Sequence, residues 1–144
     1  MILSNLTMFP QPCANLITLD IPIVRDEKLS PPYYAHYSRS GTSIPPDTLS
    51  SIDTVNCRAL PLLIEAFADS AKVEGQEKSN GRKGDLHFLA SVFANVSASN
   101  AGRLFLLSPH AEAGATPEYP LARIVVFTEH KDTIRRGGVV STLK

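Results

Sequence analysis

At 144 residues the chain is long enough for one domain with a sizeable core. Apolar residues make up 43% and charged residues 19%, with Lys+Arg and Asp+Glu balanced at 14 each. That balance excludes a basic groove for nucleic acid and an acidic solvating tail.

Cys13 and Cys57 stand alone, with no CxxC or Cys/His spacing, so neither a disulfide scaffold nor a zinc site is expected. The amino terminus lacks the basic segment of a signal peptide, and no apolar run reaches about 18 residues. The expectation is a soluble cytoplasmic chain, with the nucleus as a second compartment. It should need no cofactor and no metal, and should meet neither membrane nor nucleic acid.

In chain order, "LSNLT" reads as part of a helix near the start. Residues 22–53 carry Pro22, Pro31, Pro32, Pro45 and Pro46 among many serines, which predicts a long loop insertion without regular structure. "TVNCRALPLLIEAFADSAK" predicts a helix with Leu60, Leu63, Ile64 and Phe67 on one face, Glu65 and Asp69 toward the other, and Pro61 in its first turn. Residues 74–84, Gly-rich and charged, predict a flexible loop.

In "GDLHFLASVFANVSAS", Asp85 can cap a helix whose stripe is Leu86, Leu89, Ala90, Phe93 and Val96. Ser97, Ser99 and Asn100 break that pattern, and "AGRLFLL" resumes it as a short helix to Ser108-Pro109. Residues 108–118 predict another loop. "EYPLARIVVFTEHKD" spaces Leu121, Ile124, Val125 and Thr128 helically, although β-branched "RIVVF" also suits a strand. In "RRGGVVSTLK" the two glycines are read as a turn before a new apolar face of Val139, Val140 and Leu143.

Two segments share a pattern. With Asn5 aligned on Asn95, Leu3, Leu6 and Leu16 fall on Phe93, Val96 and Leu106. A weaker third copy puts Thr142 where the Asn stood, at the roughly 40–47-residue period of armadillo and HEAT units. The interval from Asn5 to Asn95 then reads as one period enlarged by the 22–53 insertion. Small residues, Ser4, Ala94 and Ser141, recur where backbones would approach. The fold expected is all-α: a right-handed armadillo-like helical-repeat solenoid, incomplete at both ends, with one full unit and two partial ones. Fewer than about three units argues for a partly molten or self-associating chain.

Five residues are candidate partner contacts: Asn5, Asn95, Arg103, Arg135 and Arg136. The asparagines could pair with an extended partner's backbone, as in peptide-binding armadillo proteins, or could cap and cross-link their own turns. Arg135 and Arg136 could meet an acidic partner or sit at a helix C-terminus, where cations are favoured. Tyr33, Tyr34, Tyr37, His36 and Arg39 read as a mobile loop, phosphorylated on its serines or docking a partner, rather than a base-stacking site. Cys57 with His87 is a weak nucleophile–base pair, so both cysteines are expected as small buried hydrophobes and a thiol enzyme is disfavoured. His130, with Glu129, Lys131 and Asp132, is expected at a solvated helix end.

The motifs "FLASVFANVS", "AGR" and "RRGGVVSTLK" together resemble the Hgh family of armadillo-like proteins, in its fungal form, over residues 56–144. "LSNLT" resembles the preceding repeat. The resemblance implies a non-catalytic adaptor that assists folding of translation elongation factor two, beside the cytosolic chaperonin and Hsp90-type co-chaperones. Family members continue past "GGVVSTLK", so the chain is read as a fragment. The alternatives are a peptide-binding armadillo scaffold or transport protein, and a truncated product without its own activity.

Overall fold

The periodic stripe around Phe93 becomes helix α4 (Leu89–Ser97), which buries Leu89, Ala90, Val92, Phe93 and Val96. The computed structural model describes residues 2–25, 33–35, 54–73, 86–110 and 117–144. The expected loop 74–84, the cap Asp85, and His36, Tyr37 and Arg39 lie outside them. Residues 86–88 form a turn whose carbonyls accept from Leu89, Ala90 and Ser91, so α4 starts later than its apolar stripe.

Before α4 come α1 (Ile2–Leu6), α2 (Pro10–Thr18) and α3 (Ala59–Val73). After it come α5 (Asn100–Leu107), α6 (Pro120–Val125), a 3₁₀ turn (Val126–Glu129) and α7 (Thr133–Thr142). The helical reading of "PLARIV" holds over the strand alternative, with Pro120 in the first turn, where a missing N–H costs no helical bond. In α3, Leu60, Ile64 and Phe67 are buried on one face as expected.

The chain is mostly helical, but two expectations are corrected. The region 22–53 does not run as one structureless loop: β1 (Asp20–Arg25) overlaps its start, and β2 (Tyr33–Ala35) holds Tyr33 and Tyr34. "TVNCR" is not helix but β3 (Thr54–Arg58), in an antiparallel sheet of order β2-β1-β3. Pro22 faces Asn56 in the β1–β3 register. The bond from Ala59 N to Leu19 O, 2.8 Å, sets the phase of that ladder and puts Pro22 at a pair that exchanges no bonds. Its missing N–H therefore costs β3 nothing. The 108–118 segment is likewise pinned where it is described, by a bridge between His110 and Glu118.

The helices pack in a regular order. Helix α1 lies on α4 and α4 on α7, α2 lies on α5, and α3 on α6. Phe67 of α3 joins the core by edge-on contacts with Phe93 at 5.2 Å and Phe127 at 5.1 Å between ring centroids. Burying one such ring contributes roughly 1.5–3 kcal/mol. The aligned segments share a helix–turn–helix corner, α1–α2 and α4–α5, with Leu16 and Leu106 both buried beyond the turn. Ser99 caps α5, its Oγ accepting from Gly102 N at 3.0 Å. The corner is tight enough that a Cβ on Gly102 would lie 1.9 Å from Val96 O.

Candidate functional site

Two polar clusters hold the helices together, and the five candidate residues sort around them. The first lies between α1 and α4. The Asn95 side-chain amide donates to Ser4 O at 2.9 Å and to Thr7 Oγ1 at 3.0 Å. Thr7, itself buried, donates back to Leu3 O at 3.0 Å. Asn95 therefore cross-links the corner of its neighbour, while the aligned Asn5 is exposed. Asn95→Ala is expected to cost about 1–2 kcal/mol, because Ser4 O and Thr7 Oγ1 each lose one donor, Ser4 O keeping that from Thr7 Oγ1 at 3.2 Å. It should also speed hydrogen exchange at the Thr7, Met8 and Phe9 amides. Unchanged exchange with a weakened partner contact would favour the extended-partner reading instead.

The second cluster surrounds Arg135, which is fully buried. Its Nη1 donates to Phe67 O at 2.7 Å, its Nη2 to Ser70 Oγ at 2.6 Å and its Nε to His87 Nδ1 at 3.2 Å. The guanidinium stacks on Phe67 at 4.1 Å and faces Phe127 at 5.1 Å. Arginine nitrogens only donate, so His87 Nδ1 is the acceptor and His87 Nε2 faces Asp132 Oδ2 at 3.6 Å. Asp132 caps α7, its Oδ1 accepting from Arg135 N at 2.8 Å. One residue thus ties α7 to α3 and to the turn before α4.

The expected surface role does not fit Arg135, whose donors are spent on the core. It also lies in the first turn of α7, not at a helix C-terminus. Arg136 is half-buried and donates to His130 O at 2.9 Å. Arg103 is exposed, but it closes the end of α4 by donating to Ser97 O at 2.9 Å and Ala98 O at 3.1 Å, and it also meets Asn100 Oδ1. His130 does close a helix end, after the 3₁₀ turn and between exposed Glu129 and Lys131, but it is half-buried: its ring meets Phe127 edge-on and its Nδ1 accepts from Asp132 N at 3.1 Å. His87, Asp132 and Phe127 were not foreseen as a unit. Only Asp132, a good cap residue followed by a helical run, left a local signal.

The N–H of Arg135 is the main reason the Asp132 carboxyl is held below the ordinary aspartate range, with His87 adding to it. A carboxyl depressed in the folded state stabilises above its unfolded pKa, and that contribution is lost as pH falls through the folded one. Below about pH 4, the wild-type chain should therefore lose stability that Asp132→Asn does not lose. Urea midpoints from pH 7 to pH 3 check this; parallel curves would refute it.

Cys13 is buried, which pushes its thiol up, opposite to an activated nucleophile. Cys57 is half-buried on β3 rather than fully buried as expected. Among the described residues no His/Cys/Asp/Glu group is arranged to hold a metal ion, and no helix is long and apolar enough to cross a membrane. The surface instead offers large apolar side chains: Ile2 is 80% exposed, Met8 72%, Leu104 68% and Val126 68%.

Residues 1–144 match a family described as Domain of unknown function (DUF383). Protein HGH1 homolog of Schizosaccharomyces pombe is similar to the chain at 33% identity over 76 residues. That match covers 50% of this chain and 19% of the relative's own length, so it spans a small part of that protein. On the match over its whole length, with the HGH1 homolog beside it, the chain belongs to the DUF383 family and with it to the Hgh-like proteins.

Proposed function

We propose that the chain is part of an armadillo-like helical solenoid and works as a non-catalytic protein-binding adaptor. The observation that carries this reading is the packing order, in which each helix meets the third one after it: α1 with α4, α4 with α7, α2 with α5 and α3 with α6. Repeat architectures bury each unit's face on the next and leave an extended surface for partners. Membership of the family supports it, as does a formal net charge of +0, which suits a protein partner better than nucleic acid. The client carried over from the Hgh resemblance is translation elongation factor two, with the cytosolic chaperonin and Hsp90-type co-chaperones as co-workers in the cytoplasm. Asn5 is the candidate contact that the fold leaves exposed without a cross-linking role.

The test is capture of newly made elongation factor two. Immobilised chain, shown folded by circular dichroism, is incubated with pulse-labelled cytosol. Labelled elongation factor two is expected to be retained, and its absence beside a folded chain would overturn the choice of client.

A further inference from the structure

We draw no further inference here: the strongest candidate, the exposed apolar face of α5 that carries Leu104 and Leu107 three residues apart, has nothing in the structure to show what covers it.

Discussion

Arg135→Ala is expected to be among the most destabilising single changes in this chain, at about 3–5 kcal/mol. Two effects add. The large buried side chain leaves a cavity between Phe67, Phe127 and His87, and the polar groups it served lose a donor. The losses are unequal. Phe67 O keeps a bond from Ser70 Oγ at 2.8 Å, whereas His87 Nδ1 loses the 3.2 Å donor described above. Arg135→Met separates the terms, since it refills most of the volume without the donors. It should recover the cavity part and still fall about 1–3 kcal/mol short of wild type. Urea unfolding followed by circular dichroism checks both. A Met variant as stable as wild type would mean that the hydrogen bonds contribute nothing net, as can happen when a buried charge gives way to apolar packing.

Much of this core was legible because burial writes a periodic signal. Leu60, Ile64 and Phe67, and Leu89, Ala90, Phe93 and Val96, are apolar at helical spacing and are all buried. The two similar segments each fold into a helix–turn–helix corner. What did not carry over was the role of the aligned polar residue. Asn5 is exposed, Asn95 bridges to α1, and Thr142 is buried with its Oγ1 on Gly138 O at 2.9 Å. Alignment fixes position along a helix, but the neighbour decides what a side chain there can bond.

The sheet was missed for a different reason. Prolines and serines act as breakers by composition over the whole of 22–53, yet Ile21 and Ile23 flank Pro22 with an alternation that suits a strand. A proline at a position that exchanges no ladder bonds is compatible with that strand, and composition cannot reveal the register that decides it. Arg135 was misplaced because charge argues for the surface by default. Its burial depends on an acceptor in α3 and another before α4, both far away in sequence.

The adjacent glycines of α7 should respond in opposite directions to alanine. Paired glycines suggest a turn, but both lie inside the helix Thr133–Thr142, where glycine costs roughly 0.5–1 kcal/mol relative to alanine. Nothing lies within 4 Å of a Cβ built on Gly137, so Gly137→Ala should gain about that amount. On Gly138 the same atom would lie 2.5 Å from Ala90 Cβ and 2.6 Å from Ala90 C. The second contact is backbone, so no rotamer relieves it and α7 must move off α4, the helix it packs against most extensively. Overpacking of this kind costs about 1–3 kcal/mol, which outweighs the gain in helix propensity and leaves Gly138→Ala destabilised. Pairing it with Ala90→Gly removes the Cβ contact but not the backbone one, so that double variant should recover only part of the loss. Thermal midpoints of the four chains decide the matter. If Gly138→Ala melts as high as Gly137→Ala, the close approach of α4 and α7 at this point is wrong.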